Sequence, residues 1–328
     1  MDSKLKTLQE AIVYFSNPVN CRKYVAERRW PDGIVCPRCG NKKVTFLEKY
    51  NRWQCGARHP NRQFTAKTGT IFEDSPLGLD KWLAAMWQVV NCKNGVSSYE
   101  VHRAIGVSQK TAWFMDHRIR FALNAGSLTK IGGPGSEIES DETFVGGKAK
   151  NMNASRRAQF KIARETSMGD AALVNKTAIW GVFDRESRNV RATVVPKVNR
   201  EALQTAVLDQ VVPGSKIYTD EAKVYRSLPN DYIHEFVNHL ERYVHGRVHT
   251  NCLENFWSVL KRSLGGTYVA VEPFHLHRYL DEAMFRFNHR KHMDDGQRFD
   301  LAVRQIVGKR LTWSELTGKD SGTTTVPF

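Results

Sequence analysis

Residues 251–264, Asn251-Cys-Leu-Glu-Asn-Phe-Trp-Ser-Val-Leu-Lys-Arg-Ser-Leu264, decide how the rest of the chain is read. Leu253, Phe256, Trp257, Leu260 and Leu264 recur at helical spacing, so the segment is an amphipathic helix laid on a core. Glu254 and Lys261 stand two turns apart and project together from the flank of that stripe. Asn255 falls roughly opposite it. Upstream, the texture is one of strands and helices. Glu137–Phe144, Lys176–Asp184, Val190–Val195 and Lys216–Asp220 read as strands, with another near His234–Val237, and Glu201–Val211 reads as a helix. The implied class is α/β.

Three acids stand at telling places on these elements. Asp141 lies inside the strand Ile138-Glu-Ser-Asp-Glu-Thr-Phe144. Asp220 ends the strand Ile217-Tyr-Thr-Asp220, and Glu254 opens the helix after 33 intervening residues. Two strand aspartates and a later helix glutamate are the arrangement by which ribonuclease-H-like enzymes hold two divalent metals. In phosphoryl transfer, one metal activates the attacking oxygen and the other stabilises the leaving one. Magnesium accepts a few carboxylates together with water and substrate phosphate, so Mg²⁺ or Mn²⁺ is expected at Asp141, Asp220 and Glu254. Each position has a plainer reading by itself. An Asp at a strand end is often a turn residue, and Asn251-x-x-Glu254 also fits a capping box. The three together, in this order, favour the metal site.

The N-terminal half has a different composition. Residues 4–30 carry helical apolar spacing and end at the turn Trp30-Pro31-Asp32-Gly33. Cys36-Pro-Arg-Cys39 is then followed, after fifteen residues, by Cys55-Gly-Ala-Arg-His59. Two ligand pairs at this separation match a zinc ribbon, and zinc accepts imidazole in place of one thiolate. Cys36, Cys39, Cys55 and His59 are the expected ligands of a structural Zn²⁺, against the alternative of reduced cysteines and a chance histidine. Between Trp30 and Thr70 the ribbon carries eight Lys/Arg against Asp32 and Glu48, a surface suited to phosphate. Residues 79–124 read as three helices. Ser108 is a natural N-cap after the break at Gly106-Val107, giving a helix-turn-helix layout with Gln109, Lys110 and Thr111 at its DNA-reading end. A plain helical bundle is the alternative.

Domain limits follow from these signals: helix and ribbon over 1–75, helix-turn-helix over 76–128, and a catalytic domain over 136–290. A C-terminal tail takes 291–328. The clearest linker is Leu128-Thr-Lys-Ile-Gly-Gly-Pro-Gly135. The basic segment Gly146–Lys176, with seven Lys/Arg against Glu165 and Asp170, reads either as a loop that meets DNA or as a solvated one. With 49 Lys+Arg against 34 Asp+Glu, the net charge of +15 points to a polyanionic partner. No apolar run approaches the 18 residues of a membrane span, and the first residues lack a secretory signal's apolar core. An intracellular setting is expected, and there the six cysteines are not disulfides.

Cys36-Pro-x-Cys39-Gly with Gln63-Phe-Thr-Ala-Lys-Thr-Gly-Thr-Ile-Phe72 resembles the ribbon of a bacterial insertion-sequence DDE transposase family related to the Merlin elements. The second half resembles it too, through Asp141-Glu-Thr-Phe-Val-Gly-Gly-Lys148, Val237-Asn-His239 and Val248-His-Thr-Asn251-x-x-Glu254-Asn-Phe-Trp257-Ser-x-x-Lys261-Arg262. Gly266-Thr-Tyr268 and Tyr279-Leu-Asp-Glu282-x-x-Phe285-Arg-Phe-Asn288-x-Arg290 complete the match, which spans nearly the whole chain. The resemblance implies a ribonuclease-H-like mixed sheet flanked by helices, preceded by a small zinc ribbon and a helical helix-turn-helix domain. It implies Asp141, Asp220 and Glu254 as metal ligands, and Lys261 as a basic residue contacting transposon-end DNA. We add Arg262 beside it as a DNA contact. The implied partners are double-stranded DNA, at terminal inverted repeats and at the target, and further copies of the chain, in a bacterial cytoplasm at the nucleoid. His59 departs from the family's second Cys-x-x-Cys. Some relatives use Asn as the third acid, which keeps Asn255 open, and His239 and His249 are further candidates near the site. The competing functions are a structure-selective nuclease built on the same carboxylates and a non-catalytic DNA-binding regulator.

Overall fold

The computed structural model describes residues 5–124, 130–146, 158, 176–196, 198–220, 232–236 and 249–318. Nearly all of the basic segment 146–176, and His239, lie outside the described residues. The chain forms two compact units, one from residues up to 124 together with 281–318, the other from the residues between them.

The first unit begins with two helices, α1 (Leu8–Phe15) and α2 (Pro18–Arg29), where the sequence suggested one apolar-spaced run. The break has a local cause. The Asn17 side chain accepts the Val19 amide as an N-cap, and Pro18 occupies the first helical position, where its missing N–H costs nothing. Three short antiparallel strands follow: β1 (Val44–Leu47), β2 (Arg52–Cys55) and β3 (Gln63–Phe64). Strand alternation sends Phe46, Trp53 and Phe64 to one face, where Trp53 and Phe64 pack on Trp30 at ring separations of 5.7 and 6.0 Å. Arg52, Gln54 and Gln63 are left on the other face. Helices α3 (Leu79–Asn91), α4 (Ser98–Ile105) and α5 (Gln109–Leu123) complete this stretch. Gly106 ends α4 at φ +63°, a left-handed conformation that a side chain would strain.

The second unit is a five-stranded mixed sheet. Its central strand β4 (Glu137–Val145) pairs antiparallel with β5 (Thr177–Asp184), and β5 pairs antiparallel with β6 (Val190–Val195). On its other edge β4 runs parallel to β7 (Lys216–Thr219), and β7 parallel to β8 (Ile233–Phe236). Period-2 alternation gives β4 two distinct faces. Ile138 faces a core made with Trp180, Val182 and Ile217, covered by Leu203 and Val207 of α6 (Arg200–Gln210). Glu139 and Asp141 belong to the opposite face, which carries α7 (Asn251–Arg262). This is the ribonuclease-H-like mixed sheet flanked by helices that the sequence led us to expect.

Beyond α8 (Leu276–His289), the region read from sequence as a tail holds α9 (Asp295–Arg304) and α10 (Trp313–Thr317). Phe299, Ala302, Val303 and Ile306 are fully buried in the first unit's core. Phe299 packs on Phe15, Tyr24 and Trp87. Glu282 is buried between Arg120, 2.6 Å away, and Arg286, as a desolvated carboxylate requires.

Candidate functional site

Strand register brings the first two acids together. Glu139 of β4 lies opposite Tyr218 of β7 in the last parallel pair, and Asp141 and Asp220 each follow two residues beyond it, Asp220 just past the end of β7. Adjacent strands are about 4.8 Å apart, and parallel partners present their side chains to the same face. Asp141 is only 9% exposed. Burial first, then the charge of Asp220 and more weakly that of Glu254, push its carboxyl up to about 7. Hydrogen bonds from Trp257 Nε1 (2.9 Å) and the Glu142 amide (2.8 Å) work against that rise. The Asp141 carboxyl therefore feels the charge of both other acids.

The third acid is carried by α7, which is seated on β4 at two points. At its start, the Glu139 carboxylate accepts the amides of Cys252 (2.9 Å) and Leu253 (3.0 Å). One turn later, Trp257 donates to Asp141. Glu139 is fully buried, and Arg185 holds its other oxygen at 2.8 Å. Arg185 also reaches Glu137 and the backbone carbonyl and Nδ1 of His249. An anion at two free helix N–H groups is favourable both as a hydrogen-bond acceptor and against the helix dipole. The capping box that Asn251-x-x-Glu254 suggested is not formed: the N-cap is Thr250, whose hydroxyl donates to Glu254 Oε1 at 3.2 Å. Glu139 caps the helix, and Glu254 is exposed beside Asn255. Lys261 and Arg262 are also exposed, while Leu253, Phe256, Trp257 and Leu260 are buried. His249 lies in the Arg185 cluster.

Gly181 makes the seating of Trp257 possible. It pairs with Asp141 across β4 and β5. A Cβ at 181 would stand 2.6 Å from the Trp257 ring and 3.2 Å from the Arg191 carbonyl. The indole thus lies over bare backbone and reaches the carboxylate opposite. Sequence reasoning missed Glu139, Arg185 and Gly181. Two of them left signals: Glu139 is two residues from Asp141 and so shares its strand face, and a strand glycine marks close approach.

In the ribbon, the ligand atoms of Cys36, Cys39, Cys55 and His59 all lie within 4.8 Å of one another. Cys39 Sγ is 3.6 Å from Cys55 Sγ, and Cys36 Sγ is 3.5 Å from His59 Nε2. A tetrahedron with the usual Zn–S and Zn–N lengths has edges of about 3.8 and 3.6 Å, so the donor set fits zinc. His59 Nδ1 lies 2.7 Å from the Pro60 carbonyl, an outer contact that leaves Nε2 for the metal. Burial opposes ionisation of Cys36, but the amides of Arg38 and Cys39 and the neighbouring thiols draw it down to about 7. Among the described residues, the three carboxylates of the second unit do not close to the spacing of this cluster.

The expected reading end of α5 is partly occupied by internal contacts. Gln109 donates to Ser98 Oγ at 2.9 Å, and the Thr111 amide and hydroxyl meet Ser108 Oγ. Lys110 is exposed and sits over the Trp313 ring at 4.6 Å. From Met115 to Arg120 every residue of α5 is buried, so only its first turns are available to a partner.

Two family models match this chain. The ISXO2-like transposase domain covers residues 132–288, and the transposase zinc-ribbon domain covers 17–57, ending two residues short of His59. A protein of Halobacterium salinarum, described as an uncharacterized protein in transposable element ISH50, is 26% identical over 246 residues, 73% of this chain and 81% of its own. An uncharacterized transposase-like protein of Haemophilus influenzae is 31% identical over 100 residues, 30% of this chain and 80% of its own. A solved chain from a simian T-cell lymphotropic virus intasome overlaps 60% of this chain and 66% of its own length at 13% identity, with a TM-score of 0.27, too slight to inform the fold.

Proposed function

Because the chain belongs to the insertion-sequence transposases that join a zinc ribbon to an ISXO2-like domain, we propose that it cleaves DNA at the ends of its mobile element and joins the freed 3′ ends to target DNA. Asp141, Asp220 and Glu254 would hold Mg²⁺ or Mn²⁺, which when bound activates the attacking oxygen and stabilises the leaving one. The observation that best supports this is that the charges of Asp220 and Glu254 both act on the buried Asp141 carboxyl, with Asp220 just past the strand that runs parallel to β4. Such a group is costly to ionise unless cations arrive.

The chain's own residues do the positioning. Trp257 holds one oxygen of Asp141, Glu139 fixes the start of the helix bearing Glu254, and Lys261 and Arg262 on that helix take DNA phosphates. In this reading the ribbon binds Zn²⁺ as a structural staple. The ribbon region (1–75) and the helix-turn-helix (76–128) recognise the terminal repeats, and 136–290 is the catalytic domain. At the α5 turn, exposed Lys110 is the principal DNA contact, with Gln109 and Thr111 shaping the turn. Two ends must be joined at once, so the working form is an oligomer of this chain on double-stranded DNA. No helix among the described residues is long and apolar enough to cross a membrane, and we place the enzyme in the cytoplasm at the nucleoid.

The test is strand transfer of a short transposon end with Mg²⁺ or Mn²⁺. In Asp141→Ala, Asp220→Ala and Glu254→Ala, joined product is expected to fall below detection while end binding is unchanged. Asn255→Ala is expected to join normally. Full joining by any acid variant removes that residue from the metal set, and cutting without joining by the wild type favours a nuclease.

A further inference from the structure

The ribbon sheet has an inner face packed on Trp30 and an outer face of polar side chains. Outer positions Arg52 and Gln54 on β2 alternate with buried Trp53 and Cys55, and Gln63 lies directly opposite Gln54 on β3. Together with Arg38, Asn61, Arg62 and His59 they line a basin of about 610 Å³. Among the described residues, no carboxylate lines it.

The three guanidiniums are fixed by neutral oxygens. Arg38 donates to the carbonyls of Asn61 (2.6 Å) and Gln63 (3.2 Å). Arg62 donates twice to the Cys55 carbonyl, and Arg52 reaches the Gln63 amide oxygen and the Tyr50 carbonyl. Each cation is thus tethered by neutral acceptors without being neutralised, and the N–H groups not used in these bonds are left for an acceptor. Held this way, an Arg loses little side-chain entropy when it engages a phosphate, and its planar fork suits two phosphate oxygens. One of these acceptors, the Cys55 carbonyl, belongs to a residue of the zinc-ligand group.

We infer that this outer face of the ribbon sheet is a phosphate-gripping surface for duplex DNA, in which Arg38, Arg52 and Arg62 each engage the backbone and the Gln54–Gln63 pair faces the groove between. The inference rests on the chain being a DNA-binding transposase and says where on the ribbon the duplex lies. Phosphate contacts made this way fix register without reading sequence.

The experiment is fluorescence anisotropy of the full chain on a short transposon-end duplex, without added divalent cation, across a salt series. Arg52→Gln, Arg38→Gln and the double variant are compared with wild type, and zinc content is measured on each preparation. Each lost phosphate contact is expected to flatten the slope of log K against log salt by about 0.9, so the double variant loses about twice that. Arg52→Lys keeps the charge and is expected to keep most of the slope. Arg52, which contacts no zinc-ligand residue, decides the matter if Arg38→Gln sheds zinc. An unchanged slope in zinc-replete Arg52→Gln overturns the inference, as does a loss of slope confined to single-stranded RNA. Neither outcome bears on catalysis, because no joining takes place. If the carboxylate variants lose strand transfer while the arginine variants bind normally, the catalytic reading stands and this surface does not.

Discussion

Replacing Glu139 with alanine perturbs one fully buried carboxylate and tests how the active-site helix is held. The side chain accepts two α7 amides and the Arg185 Nε. Its loss leaves Arg185, whose side chain is 14% exposed, with the longer 3.3 Å contact to Glu137 and with the His249 atoms. Breaking one side of a buried pair costs roughly 3–5 kcal/mol. The partners that Arg185 retains, and the half-buried Cys252 amide that water can reach, place the expected cost of Glu139→Ala near the lower limit, about 3 kcal/mol. Glu139→Gln keeps one acceptor oxygen and is expected to cost about 1–2 kcal/mol. Urea unfolding reads the stability. Strand transfer, at a temperature where both variants are folded, reads the placement of Glu254. Glu139→Ala should need more divalent metal for half-maximal joining, and Glu139→Gln should recover part of the loss. A destabilised variant with wild-type metal dependence would refute the link between this cap and the metal site, and a variant as stable as wild type would refute the cap itself.

Gly181→Ala is expected to cost about 1–3 kcal/mol by overpacking and to displace Trp257 from Asp141; a variant with native stability and unaltered tryptophan fluorescence contradicts this. Asp116 is fully buried with neither oxygen hydrogen-bonded, and burial pushes it to about 8, against Arg120 and with Glu282. Since its folded value lies above the ordinary 3.8, the folded state holds the extra proton, and its contribution to stability declines as pH rises from about 4 to 8. Asp116→Asn should flatten that decline, and a stability–pH curve parallel to wild type rules the assignment out. Chelation of zinc should abolish the near-UV dichroism of Trp30 and Trp53, and Cys55→Ser and His59→Ala should each reduce bound zinc. Full stoichiometry in His59→Ala would mean that another residue completes the set.

Much of the second unit was legible because each element has a strong local signal. β7 carries Ile217 and Tyr218 just before Asp220, β4 is bounded by Ile138 and Phe144 around its polar centre, and the α7 stripe is buried as its spacing required. The zinc ligands were legible for a similar reason: paired knuckle spacing leaves few geometries. What the sequence withheld was long-range. Nothing local tells that Glu139 meets an amide 114 residues away, and the capping-box pattern at Asn251 pointed to Glu254 instead. Phe299 read as part of a C-terminal tail because its partners, Phe15, Tyr24 and Trp87, lie far away in the N-terminal half of the chain. The α1–α2 break turned on a single Asn17-Pro18 step inside a continuous apolar spacing. Lys110, read as a groove contact, also meets Trp313 from that C-terminal region.

The central claim is that Asp141, Asp220 and Glu254 share divalent cations. A crystal of the full chain with a transposon-end duplex and Mn²⁺, measured at the manganese absorption edge, tests it directly. Anomalous peaks within bonding distance of all three carboxylates are the expected result. Manganese bound elsewhere, or bound while Asp220 or Glu254 stands apart from it, would contradict the account.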